Sequence, residues 1–84
     1  MGKNSRLDIK QRFGLAIRQR RSELGISQEE LANRANLHRT YISDIERGTR
    51  NLALENIETL AKALNISVST LFANYGIEES EGAS

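Results

Sequence analysis

Apolar residues recur along this chain at three- and four-residue spacings, the period of a helix buried on one face, while two-residue strand alternation is nowhere sustained. In residues 7–24 the pattern puts Ile9, Phe13, Ala16, Ile17 and Leu24 on one side and Lys10, Arg12, Arg18 and Arg21 on the other, and Gly25 ends it. Ser27-Gln28-Glu29-Glu30 reads as a capping box: the Ser27 hydroxyl accepts from the amide three residues on, and Glu30 reaches back. A short second helix is predicted from about Gln28 through Leu31, Ala32 and Ala35, with Asn36 as a left-handed exit. A third runs from about Arg39 to Arg47, with Tyr41, Ile42 and Ile45 apolar and Gly48 closing it. After a loop from Thr49 to Ala53, the residues Leu54, Ile57, Leu60, Ala61 and Leu64 predict a fourth helix ending near Asn65. Ser67 caps a last short helix through Val68, Leu71 and Phe72. From Ile77 the period is lost. Residues 1–76 are therefore read as a single all-α domain of five helices, and 77–84 as a frayed acidic tail.

Eighty-four residues leave no room for a barrel or doubly wound enzyme fold and allow only a thin core. Cysteine is absent and His38 is the single histidine, so neither a disulfide nor a metal is expected to reinforce the fold, and His38 is read as a turn or N-cap residue. Association of copies becomes the expected source of stability. Ile66, Val68, Leu71, Phe72 and Tyr75, with Ile77, exceed what so small a core needs, and the first five are taken as a dimer interface. No apolar run approaches the roughly 18 to 20 residues of a membrane span, and the polar start lacks a signal peptide's apolar stretch. A soluble, cytoplasmic protein with no membrane partner is expected. Nucleophile motifs, His–carboxylate groupings and glycine-rich phosphate loops are missing, and Gly14, Gly25, Gly48 and Gly76 read as isolated punctuation, so no enzyme and no cofactor are expected.

The net charge of +1 conceals an asymmetry. Residues 1–50 hold eleven Lys/Arg against six acids, a net of +5, whereas residues 51–84 hold Lys62 against five glutamates, a net of −4. Such a basic half suggests an anionic partner, since a polyanion attracts clustered cations over about a Debye length. The plain alternative is a solvated charged face.

The segment Gln28 to Arg47 narrows that choice. Ala32 has no γ carbon, which lets two helices meet at a steep crossing; Leu31, Ala35, Ile42 and Ile45 line the inner angle, and Leu37 plugs the turn. The third helix is left with an outward row of hydrogen-bonding side chains, Arg39, Thr40, Ser43, Asp44 and Arg47. With Ser27-Gln28-Glu29-Glu30-Leu31-Ala32 and Tyr41-Ile42-Ser43-Asp44-Ile45-Glu46-Arg47-Gly48, the chain resembles the helix-turn-helix family of the phage repressor and Cro type over residues from about 11 to 73. Within it, His38-Arg39-Thr40-Tyr41-Ile42 and Glu46-Arg47-Gly48-Thr49-Arg50-Asn51 are similar to the controller proteins of restriction-modification systems.

The resemblance implies a five-helix, lambda-repressor-like domain and a dimeric transcriptional regulator that binds a palindromic double-stranded operator through the major groove, controlling its own gene and the endonuclease gene. It implies base reading by Arg39, Thr40, Ser43 and Asp44, with Arg39 suited to guanine O6 and N7 and Asp44 limited to a cytosine amino group or an arginine partner. Gln28, Tyr41, Arg47, Arg50 and Asn51 are placed nearer the DNA backbone. Arg12, Arg18, Arg20 and Arg21 are read mainly as a solvated helix face with some prospect of phosphate contact, and Glu46 as a structural partner for an arginine. RNA polymerase is a further possible partner, through Glu29 and Glu30. Two departures from the family pattern are Asn36 at a turn position often filled by glycine, and Ala53 where a capping side chain usually starts the fourth helix. A phage-type repressor or antitoxin is the nearest alternative, and a helical protein-interaction adaptor the alternative of another class.

Overall fold

A computed structural model describes residues 7–78. Its helices are α1 (Ile9–Leu24), α2 (Gln28–Ala35), α3 (Arg39–Arg47), α4 (Leu54–Ala63) and α5 (Val68–Asn74). The fold is all-α, and the helix ends follow from local chemistry. Asp8 caps α1 by accepting from the Gln11 amide at 2.9 Å, while the Gln11 side chain accepts from the Asp8 amide at 3.1 Å, a reciprocal box that the sequence reading did not identify. At α2 only half of the expected box forms. The Ser27 hydroxyl accepts from the Glu30 amide at 3.0 Å, but the Glu30 carboxylate pairs along the helix with Arg34 at 3.1 Å. Asn36 leaves α2 in the left-handed region, as expected, and Gly48 ends α3 at φ 78°. His38 and Ala53 occupy the N-cap positions of α3 and α4 with no side-chain bond to the helix.

The core is one cluster to which every helix contributes: Phe13, Ala16 and Ile17; Leu31, Ala32 and Ala35; Ile42 and Ile45; Leu60, Ala61 and Leu64; and Leu71. Helix α1 packs against α3, α2 against α3 and α4, and α4 against α5. Gly14 permits the first of these contacts. A Cβ there would lie 2.3 Å from the carbonyl oxygen of Ile45 and 2.7 Å from that of Glu46, so this glycine is a packing residue rather than punctuation.

Four expectations need correction. Ile9 is exposed, because α1 extends one turn beyond the core. Leu54 shares the helical register of Ile57 but stands 79 % exposed at the first turn of α4. Leu71, assigned to a dimer interface, is fully buried in the protomer's own core and presents nothing to a second copy. Ile77, expected to begin the tail, is also fully buried, and its carbonyl accepts from Arg12 Nε at 2.6 Å, so the domain includes it. The remainder of the expected tail, 79–84, lies outside the described residues, as do 1–6.

Candidate nucleic-acid interface

The start of α3 presents Arg39 and Thr40 to solvent. Neither makes a side-chain hydrogen bond or ion pair among the described residues. Below them, Ile42 and Ile45 anchor α3 in the core, which fixes the direction of the exposed face. The remaining polar side chains of that face are not independent. Arg47 donates through Nη1 to the Ser43 hydroxyl at 2.7 Å and through Nη2 to the Asp44 carboxylate. Arg50 Nε donates to the other Asp44 oxygen at 3.2 Å, and its guanidinium lies 4.8 Å from the centre of the Tyr41 ring. Asn56 of α4 donates to the Tyr41 hydroxyl at 2.9 Å. Asn51 is exposed in the loop that follows.

The Asp44 carboxylate thus faces two arginines, which is the arginine pairing expected for it as the alternative to a cytosine amino group. Gln28 is also engaged: its Nε2 donates to Glu46 Oε1 at 3.0 Å, leaving one N–H of the amide for another acceptor. Glu46 is the structural carboxylate expected from the sequence. Its side chain is 5 % exposed and receives Arg21 in a two-pronged pair, Nε to Oε2 at 2.8 Å and Nη2 to Oε1 at 3.0 Å. These hydrogen bonds hold the Arg21 guanidinium above its usual pKa range against the desolvation of its site.

The arginines of α1 divide by what they meet. Arg20 donates to the carbonyls of Leu64 and Asn65 at 3.0 and 3.2 Å and so closes the C-terminal end of α4. Arg12 holds the carbonyls of Leu7 and Ile77, and Arg21 that of Ile26 in addition to Glu46. These three are fold residues. Arg18 stays exposed.

On the α4–α5 side, Leu54, Ile57 and Val68 with Glu55 and Glu58 line an apolar groove of about 350 Å³. Val68 is exposed there. Ile66, Phe72 and Tyr75 are half-buried against their own core, Phe72 beside Phe13 with ring centres 5.8 Å apart, and the Tyr75 hydroxyl bonded to Glu23 and Arg20. The most exposed apolar residue of this surface, Leu54, escapes the sequence reading because periodicity assigns it to the core.

The helix-turn-helix family profile matches residues 17–71 of this chain. The control protein C.BamHI of Bacillus amyloliquefaciens is 54 % identical over 65 residues, which are 76 % of this chain and 80 % of that protein. The chain belongs to the helix-turn-helix family of restriction-modification controller proteins. Solved controllers share its fold. C.AhdI from Aeromonas hydrophila is 45 % identical with a TM-score of 0.72, covering 74 % of this chain and 94 % of that one. C.Esp1396I, crystallised as a tetramer in complex with its natural 35 base-pair operator, is 39 % identical with a TM-score of 0.74, covering 80 % and 88 %. Among the described residues, no helix of this controller-family chain is long and apolar enough to cross a membrane.

Proposed function

We propose that this chain is the controller of a restriction-modification system, binding a palindromic operator as a homodimer and setting the expression of its own gene and of the endonuclease gene. It is a sequence-specific DNA-binding transcriptional regulator. One observation carries the reading at the level of residues: Arg39 and Thr40 project unpartnered from the first turn of α3, the helix that enters the major groove in this docking geometry. Arg39 supplies the planar donor pair that guanine O6 and N7 accept, and Thr40 a methyl and a hydroxyl. Asn51, Arg47, Arg50 and the remaining N–H of Gln28 are the groups suited to phosphates, which fix register. Two such helices related by a two-fold axis require half-site centres about 34 Å apart.

The groove of Leu54, Ile57 and Val68 is the best-supported surface for the second copy, because it joins the most exposed leucine of the described fold to an exposed valine. Activation in addition needs a contact with RNA polymerase, for which exposed Glu29 at the first turn of α2 is available. A cytoplasmic location is part of the same reading.

Anisotropy titration of labelled DNA from upstream of the gene, against a random duplex of equal length and over a salt series, tests the proposal. Tight binding to the upstream DNA that weakens steeply with salt is expected, since each neutralised phosphate releases counterions. Binding indifferent to both sequence and salt overturns it.

A further inference from the structure

Asp44 is an acid on a surface that has to approach a polyanion. Its side chain is 18 % exposed, whereas the side chains of the two arginines that it holds are 61 % and 48 % exposed, so the acid is the more covered member of the cluster and the arginines are its outer members. Every constraint around it acts on those arginines. Arg47 is clamped between Asp44 and Ser43. Arg50 is held between Asp44 and the Tyr41 ring, and Tyr41 is itself tied to α4 through Asn56. The Thr49 amide and hydroxyl both donate to the Asp44 carbonyl at 3.1 Å, which fixes the backbone one residue before Arg50.

We propose that Asp44 is a positioning and specificity-determining residue: its carboxylate pre-orients Arg47 and Arg50 for one docking register and, by competing for them, suppresses binding to DNA in any other. The inference rests on the DNA-binding reading. Non-specific binding draws on cations that can swing to whatever phosphate is near, and it is almost entirely electrostatic. Two arginines bound to a carboxylate contribute a net charge of one rather than two, and their reach is restricted. Specific docking loses less, because donors already in place have little rotamer entropy left to lose and the guanidinium N–H groups not turned to Asp44 remain available for phosphates.

Asp44→Asn keeps the shape and removes the charge. Wild-type protein and D44N are titrated against the upstream operator and a random duplex over a salt series. D44N is expected to bind random DNA about 3- to 10-fold more tightly, with a steeper salt slope by up to about one released counterion, and to lose operator-over-random preference by a similar factor. In the Arg47→Gln/Arg50→Gln background the same substitution is expected to change random-DNA binding by less than about twofold, since the groups through which Asp44 acts are gone. An unchanged preference in D44N overturns the proposal. So does an equal gain in both backgrounds, which is the mark of plain charge removal, or a loss confined to one base pair of the operator, which is the mark of direct base reading. Wild-type protein without preference for the operator defeats the DNA-binding reading itself and is thereby distinguished. Should D44N unfold, the wild-type protein still decides: the Arg50 Nε–H resonance is expected to be resolved and slow to exchange in the free protein, and exchange as fast as that of exposed Arg18 overturns the proposal.

Discussion

Arg21 near the end of α1 and Glu46 in α3 form a nearly buried two-pronged ion pair, with side-chain exposures of 15 % and 5 % and donor distances of 2.8 and 3.0 Å. Gln28 at the start of α2 donates to the same carboxylate, so one acid ties together α1, α2 and α3, the helices around the proposed DNA interface. Glu46→Ala leaves Arg21 buried without a counter-charge, a change that costs about 3 kcal/mol in comparable pairs. For a domain of this size that corresponds to a fall in Tm of roughly 12 to 24 °C, read by circular dichroism on heating. A fall of only a few degrees would mean that Arg21 finds solvent or another acceptor. Because the pair raises the Arg21 pKa, its contribution is complete at neutral pH and is lost only as pH rises through that raised value. Stability from this pair is therefore expected to stay level through the neutral and mildly alkaline range.

Gly14→Ala is expected to destabilise the fold, although alanine favours a helix interior by about 1 kcal/mol over glycine. The new Cβ would meet the backbone carbonyls of Ile45 and Glu46 at 2.3 and 2.7 Å, and neither can rotate away as a side chain could. Overpacking of this kind costs about 1 to 3 kcal/mol, so the net change is a loss, and the midpoint of urea unfolding should fall with an unchanged m value. A raised midpoint would show that α1 can slide away from α3 without loss.

What the sequence makes legible here is chemistry with a local signature. Gly25, Asn36 and Gly48 mark helix ends because few residues tolerate the left-handed backbone, and each sits there in the fold. The exposure of Arg39 and Thr40 is legible because Ile42 and Ile45 fix which side of α3 is buried. Other features depend on meetings between distant segments. The pattern gives Leu54 and Ile57 the same face of α4, but it does not say how far along the helix the core extends, and Leu54 falls beyond its edge. Arg18, Arg20 and Arg21 look alike in sequence; only the tertiary fold brings the carbonyls of Leu64 and Asn65 to the second and Glu46 to the third. The same holds for Asp44, whose pairing with Arg50 needs the turn at Gly48.

Arg39→Ala separates recognition from stability. The side chain has no partner among the described residues, so its removal is expected to leave Tm within about 2 °C of wild type, as for most surface substitutions. Operator affinity should nevertheless fall about 10- to 100-fold, and the penalty for substituting the guanine that it is proposed to read should vanish. Gln28→Ala is expected to behave differently, weakening all duplexes by a similar factor and lowering Tm as well, because its amide also serves Glu46. Matching profiles for the two variants, in titrations against a panel of single-base operator changes, would contradict the roles given to them.

The α4–α5 surface makes an opposite pair of predictions for the protomer and the assembly. Leu54 is 79 % exposed at the rim of the groove that it forms with Ile57 and Val68, and burying such a side chain fully against a second copy is worth about 1.5 to 3 kcal/mol on each side. Leu54→Glu adds a charge beside Glu55 and Glu58, so a symmetric contact across this surface would bring like charges together. The variant is expected to fold as well as wild type at low concentration, where the protomer is alone, while its dimer dissociation constant in sedimentation equilibrium rises by at least about 100-fold. Operator binding would then require correspondingly more protein, and the shift should be recovered by covalently linking two copies, which restores effective concentration without the groove. A Leu54→Glu protein that still sediments as a dimer at wild-type concentrations would move the interface away from this groove, towards the half-buried residues Ile66, Phe72 and Tyr75.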